Sequence, residues 1–370
     1  MNQPNTILTL DAGGTNLVFT AIRNAKAASD DFSLSAKSDS LDELLLKIIS
    51  GFREVEKQSG NKAAAISFSF PGPADYEKGI IGKLENLPLF RGGVALKKML
   101  ENEFHIPVFI NNDGDLFTLG EAMHGLLSDT NKKLRETGVD KQYKNLLGVT
   151  LGTGFGGGIV LNGQLLSGDN SAAGEINRMS NLLNRNSSVE EVLSIRGVKR
   201  LFSQKANCAF ENTPGPFDIF RIGMGEKKGN KEAALAAWES FAIVLADAIG
   251  NSVSLVDGLV VIGGGLAGAH PLFLQKVLTE LNGHFNKSGG GKVPRLEVNA
   301  YNLEDPEGIV GFLEQKEVQI PVPFSNKTVT YSPDKIIGIG ISRLGTSKAV
   351  ALGAYAFAKK KLGLETLNLD

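Results

Sequence analysis

Two glycine turns in this sequence, each alone most simply a hairpin turn, together suit phosphate binding. The first, Gly13-Gly14-Thr15-Asn16, follows the apolar run Ile7-Leu8-Thr9-Leu10 and Asp11-Ala12. The second, Gly152-Thr153-Gly154, follows Leu146-Leu147-Gly148-Val149-Thr150-Leu151. Backbone N–H groups can close on a phosphate where no Cβ intrudes and positive φ costs little, and Thr15 and Thr153 would add hydroxyl donors. Asp11 stands where a carboxylate could hold Mg²⁺ directly or through water, or could simply cap the turn. A third cluster, Gly263-Gly264-Gly265, ends the run Leu259-Val260-Val261-Ile262. Asn111-Asn112-Asp113-Gly114 ends Val108-Phe109-Ile110 and reads alone as a plain turn, although a strand-end Asp also has the reach of a general base.

These residues need elements to present them. Ile7 to Leu10 and Leu17 to Ile22 flank the first turn as a predicted hairpin, and the second turn repeats that plan with Ile159-Val160-Leu161 beyond it. The third cluster leads into a helix-like stretch from Pro271 to Leu281. Leu41 to Gln58 and Lys231 to Val256 carry apolar residues at helical spacing, while Ala64 to Phe70 reads as a strand ending at Pro71-Gly72-Pro73. Helices alternating with strands give an α/β class, with polar residues delivered at strand ends, where such sheets place ligands. From 289 to 333 the pattern dissolves into Gly, Pro and short apolar pieces, read as an insertion. A helix is expected again over 346–362.

A chain of 370 residues with 42% hydrophobic content is expected to fill two lobes. Lys+Arg 39 against Asp+Glu 40 leaves a net charge of −1 without a basic stripe, so nucleic acid is not an expected partner. The single cysteine, Cys208, fits a reducing, cytoplasmic setting. The start shows no basic and apolar leader and no long apolar run follows, so neither export nor a membrane is expected. No P-loop or protein-kinase pattern occurs. Gly152-Thr153-Gly154-Phe155-Gly156-Gly157 approaches the dinucleotide fingerprint, but it opens a strand-like run instead of a helix, which argues against a Rossmann site.

Taken in order, Leu10-Asp11-Ala12-Gly13-Gly14-Thr15-Asn16, Pro71-Gly72-Pro73, Asn86-Leu87-Pro88, Asn112-Asp113 with Leu119-Gly120-Glu121, Leu151 to Gly158, Gly174-Glu175-Ile176 and Ile262 to Gly265 closely resemble the ROK family of sugar kinases and repressors. The resemblance implies the actin-like ATPase fold, of RNase H-like topology, with two α/β lobes about a cleft. One lobe would span 1–112 on the sugar side, joined by the helix 346–362. The other would span 113–345 on the nucleotide side, with the insertion near 289–333. It implies ATP and Mg²⁺ as cofactors: Asp11 at the metal and phosphate, Gly13, Gly14, Thr15 and Asn16 at one phosphate turn, Gly152, Thr153 and Gly154 at the other, and Gly263, Gly264 and Gly265 toward adenosine. Asp113 corresponds to the base that takes the proton of a hexose or N-acetylhexosamine hydroxyl, the 6-OH by resemblance. Gly72, Asn86, Asn112, Glu175 and Glu190 would line the sugar. A homodimer is implied too.

In many relatives a His and a cysteine cluster after Gly-Glu-Ile hold zinc. Here the run is Gly174-Glu175-Ile176-Asn177-Arg178-Met179 and no Cys follows through Glu190, so no zinc site is expected. Arg178 is expected to pair with a carboxylate or, failing that, to reach the sugar. A repressor would need a helix-turn-helix ahead of the strand near Ile7, and a sugar-binding sensor without turnover is the alternative to an enzyme. The presence of Asp11, Asp113 and both turns favours turnover.

Overall fold

The computed structural model describes residues 5–12, 15–85 and 87–364. By its contacts the chain divides into two units, one of residues 1–125, 158–174 and 344–370, the other of 126–157 and 175–343.

The first unit begins with β1 (Thr6–Ala12) and β2 (Asn16–Arg23), paired antiparallel with Leu10 opposite Phe19. The short strands β3 (Lys26–Ala27) and β4 (Phe32–Ser35) both pair with β2. Helix α1 (Leu41–Ser59) starts where the Ser40 side chain accepts from the Glu43 N–H at 3.2 Å, with Asp42 and Glu43 in the first turn, where negative charge favours the helix. It stops at Gly60, whose φ of 67° suits glycine. Its buried stripe, Leu44, Ile48, Phe52 and Val55, follows the helical period and covers one sheet face, where the Phe52 ring meets Phe19 edge-on at 5.1 Å.

Strand β5 (Ala65–Ser69) is buried along its whole length. A small sheet follows, of β6 (Ala74–Asp75), β7 (Ile80–Lys83) and β8 (Arg91–Ala95), leading to α2 (Leu96–Phe104) and β9 (Val108–Asn111). The main sheet runs β3-β2-β1-β5-β9, with β1, β5 and β9 parallel, so the chain leaves all three at one edge. Helix α3 (Asp113–His124) starts at that edge, directly after β9.

The second unit opens with α4 (Leu126–Glu136) and β10 (Leu146–Leu151). The other six-stranded sheet runs β12-β11-β10-β15-β21-β18, with β11 (Phe155–Leu161), β12 (Gln164–Leu165), β15 (Leu259–Gly263), β18 (Asn299–Asn302) and β21 (Ile336–Ile341); β10, β15, β21 and β18 are parallel. The division into units passes through β11. The hairpin β13 (Ser180–Asn181) and β14 (Asn184–Ser188) precedes the helices α5 (Ile195–Ala206), α6 (Pro216–Met224) and α7 (Lys231–Val256). Helix α7 is apolar on most sides and is long and apolar enough to cross a membrane by length and composition, contrary to the expectation that no such run exists. Yet 67% of its most apolar window is buried in the protein, where Trp238 and Phe241 pack with Phe273 of α8 (His270–Leu281), the marks of a core helix.

The stretch expected to be an insertion is more ordered than its sequence suggests. It holds β17 (Lys292–Pro294), which pairs with β16 (His284–Asn286), as well as β18 and α9 (Pro306–Leu313). Strand β18 completes the main sheet of the second unit, while the β16–β17 pair and the exposed hairpin of β19 (Val318–Pro321) and β20 (Thr328–Tyr331) stand off it. With four residues and Ala300 alone buried, β18 carries too little apolar alternation to be read as a strand. The last helix of the described residues, α10 (Thr346–Lys361), packs on α3 in the first unit.

Candidate active site

Three parallel strands deliver the candidate residues of the first unit to one edge. Asp11 lies near the end of β1, exposed. Thr15 and Asn16, also exposed, begin the return strand, and the Thr15 carbonyl accepts from the Ala36 N–H at 2.9 Å. Beyond β5, Gly72 precedes a cis peptide to Pro73, and a Cβ on it would lie 3.1 Å from the Tyr76 hydroxyl, which itself donates to the Phe70 carbonyl. Beyond β9, Asn112 caps α3: the Gly114 N–H donates to Asn112 Oδ1 at 2.8 Å and to Asp113 Oδ1 at 2.9 Å. Gly13, Gly14 and Asn86 lie outside the described residues.

Asp113 is the first residue of α3, and water reaches its side chain. Protein nonetheless surrounds the carboxyl on a wider scale, a recessed position, and that dehydration raises its pKa above the ordinary carboxylate range. The Gly114 N–H and its own N–H pull the other way, and the negative charge of Asp11 adds a further upward push. The structure therefore brings Asp11 and Asp113 within electrostatic reach of each other. A raised carboxyl beside a second carboxylate is the environment of a proton acceptor next to a cation-binding group.

In the second unit the two remaining glycine clusters meet at the ends of neighbouring parallel strands, with Thr150 opposite Gly263. Gly264 has φ of 88°, and a Cβ there would lie 2.3 Å from the Leu151 carbonyl oxygen, which also accepts from the Leu266 N–H at 2.9 Å. Only glycine permits that approach. At the turn after β10, the Gly152 N–H donates to the Gly154 carbonyl at 2.9 Å, and a Cβ on Gly152 would meet nothing within 4 Å. Among the described residues, the Thr153 and Gly154 N–H groups donate to no protein acceptor. Two adjacent free amides on an open turn are suited to phosphate oxygens.

The segment after the β13–β14 hairpin grips this turn at both ends, a contact that sequence reading missed. The Ile195 N–H donates to the Gly152 carbonyl at 2.9 Å, and Oε2 of Glu190, in the short helix Val189–Glu191, accepts from the Phe155 N–H at 3.2 Å. The partners are 35 or more residues apart, and no local pattern announces them. Glu175 begins the short helix Ile176–Arg178 and is exposed. Arg178 is exposed as well, and among the described residues no carboxylate pairs with it, against the expectation of an ion pair; its one-turn helix buries Ile176 and leaves the Arg178 side chain toward solvent. Also among the described residues, no three His, Cys, Asp or Glu side chains are grouped to hold a metal ion.

These residues fit a nucleotide with its cation: the free amides of the second turn suit phosphate, and the exposed Asp11 carboxylate suits a hard divalent ion that keeps most of its waters.

Comparison with known proteins identifies the family. A model of the ROK family matches residues 7–314. A crystal structure of glucokinase from Parabacteroides distasonis is 45% identical, covers 97% of this chain and 98% of that one, and has a TM-score of 0.88. N-acetyl-D-glucosamine kinase from Yersinia enterocolitica is 28% identical over 277 residues, 70% of this chain and 82% of that protein. Glucokinase from Halalkalibacterium halodurans is 26% identical over 289 residues, 72% of this chain and 82% of that protein. The mixed α/β architecture is that of the actin-like ATPase fold found in ROK sugar kinases.

Proposed function

The chain belongs to the ROK family, and we propose that it is a sugar kinase that transfers the γ-phosphoryl group of ATP to the 6-hydroxyl of a hexose or N-acetylhexosamine. The observation that carries this reading is Asp113, a water-accessible carboxyl with raised pKa at the end of a parallel strand, beside Asp11.

Asp113 accepts the proton of the attacking hydroxyl as the new O–P bond forms and the bond from the γ-phosphorus to the bridging oxygen breaks, releasing ADP; the proton passes on to solvent. Gly72, Asn86, Asn112, Glu175 and Glu190 orient the sugar. Asn112 keeps its amide nitrogen for a hydroxyl while its oxygen caps α3. Asp11 would hold Mg²⁺, directly or through water, and the ion would supply positive charge against the phosphates. The Thr153 and Gly154 amides receive phosphate oxygens, as do the turn 13–14, Thr15 and Asn16, and Gly263 to Gly265 lie toward adenosine. We further propose a cytoplasmic homodimer.

The test is ADP release with MgATP across hexoses and N-acetylhexosamines, run beside Asp113→Ala. Turnover on at least one sugar, reduced ~100-fold or more in the variant, is the expected result. Folded protein silent on every sugar would point instead to a sugar-binding sensor.

A further inference from the structure

We propose that Glu190 is a positioning residue for the phosphate turn, holding the Phe155 end so that the Thr153 and Gly154 amides are left for an anion. The proposal rests on the reading of that turn as a phosphate site.

The turn from Gly152 to Phe155 has four backbone N–H groups and two fixed ends. At one end Ile195 N–H holds the Gly152 carbonyl, and Gly152 N–H is spent on the Gly154 carbonyl inside the turn. At the other end the Phe155 N–H is spent on Glu190 Oε2. What remains is the pair in the middle. The carboxylate also fills the space beside Gly154, since a Cβ there would lie 2.8 Å from Oε2. Glu190 is itself tied to a rigid element: Ser194, wholly buried, donates from its hydroxyl to the Glu190 carbonyl at 2.8 Å and caps α5 by accepting from the Gly197 N–H. The grip thus passes from α5 through Ser194 and Glu190 to the turn.

Charge alone gives no reason for a carboxylate here, because an anion beside a phosphate site repels the phosphate. Its hydrogen bond does give one. A carboxylate has two oxygens, and the second remains for a sugar hydroxyl, so the two tasks are compatible. They separate in experiment, because a sugar ligand acts on the sugar and a turn support acts on the nucleotide.

Hydrogen exchange of the Phe155 amide, calorimetry with Mg·AMPPNP and steady-state kinetics should be read on Glu190→Gln, Glu190→Ala and Glu190→Asp. We expect a slowly exchanging Phe155 amide in the wild type, exchanging about tenfold faster in Glu190→Ala, with AMPPNP binding weakened about tenfold and the ATP KM raised to match. Glu190→Gln, which keeps an acceptor oxygen without the charge, should restore both within about threefold. Glu190→Asp, too short to reach, should behave as the alanine variant does and stands in for it if that variant fails to fold. A rise in hexose KM alone, with Phe155 exchange and AMPPNP affinity unchanged, would overturn the proposal. If the wild type bound no AMPPNP, the kinase reading would fail by itself, and Phe155 exchange would still decide whether Glu190 holds the turn.

Discussion

Asp113 must be ionised to take a proton, and its environment resists ionisation. Burial raises its pKa most, against the Gly114 N–H, and the charge on Asp11 adds to the rise. The acid limb of kcat/KM is therefore expected above the ~4 of an ordinary carboxyl. In Asp11→Asn the same limb should move toward lower pH, since one raising cause is gone, even though the rate should fall with loss of the proposed cation ligand; pH profiles of the two proteins give the comparison. Linkage fixes the sign for stability. Between the unfolded value near ~3.9 and the raised folded value, the folded state binds the proton more tightly, so stability contributed by this group falls as pH rises through that window. Above it, the ionised carboxylate is a standing cost. Asp113→Asn keeps an oxygen for the Gly114 N–H and should resist urea better than the wild type at pH 7 to 8, with the advantage vanishing below pH ~4. Equal urea midpoints at both pH values would contradict the assigned burial.

Asp113 is held in place by the close packing of α3 and α10, whose backbones come almost into contact. A Cβ on Gly120 would lie 1.9 Å from the Ala349 carbonyl oxygen, and one on Gly353 would lie 1.9 Å from the Leu116 carbonyl oxygen. Backbone cannot step aside as a side chain can, so Gly353→Ala should force the helices apart, costing roughly 1–3 kcal/mol in urea unfolding, with kcat reduced because α3 carries the proposed base. Little of this packing was legible beforehand. The β1–β2 hairpin, α1 and α7 were, because alternation and helical spacing leave a strong local signal in runs such as Leu44, Ile48, Phe52, Val55. Gly120 was visible in its motif, but its partner lies on a helix more than two hundred residues later. The same holds for the candidate site. Asp11, Asp113 and the glycine turns stand at strand ends in the sequence, though only the family resemblance singles Asp113 out from a plain turn, whereas the Glu190 contact to Phe155 and, among the described residues, the absence of a carboxylate at Arg178 depend on packing that no window of sequence contains.

At the scale of the molecule, the residues proposed for the chemistry are found in both units. The proposed base and its neighbour Asp11 belong to the first, and the second glycine turn with Gly263 to Gly265 belongs to the second. Damage to each should then read out differently. Gly264→Ala places a Cβ 2.3 Å from the Leu151 oxygen in a backbone conformation, φ of 88°, that alanine resists. Leu151 can yield only by moving the end of β10, and with it the turn at Gly152. The expected result is a rise in ATP KM and a loss of AMPPNP affinity of tenfold or more, as for a strained substitution of roughly 1–3 kcal/mol, with the pH profile of Asp113 unchanged. Asp113→Asn should do the reverse, lowering kcat by ~100-fold or more while AMPPNP binds as to the wild type. Calorimetry on both variants beside their kinetics tests the division directly. Loss of AMPPNP binding in Asp113→Asn would mean that the base also serves the nucleotide, and an unchanged ATP KM in Gly264→Ala would remove Gly263 to Gly265 from the nucleotide site.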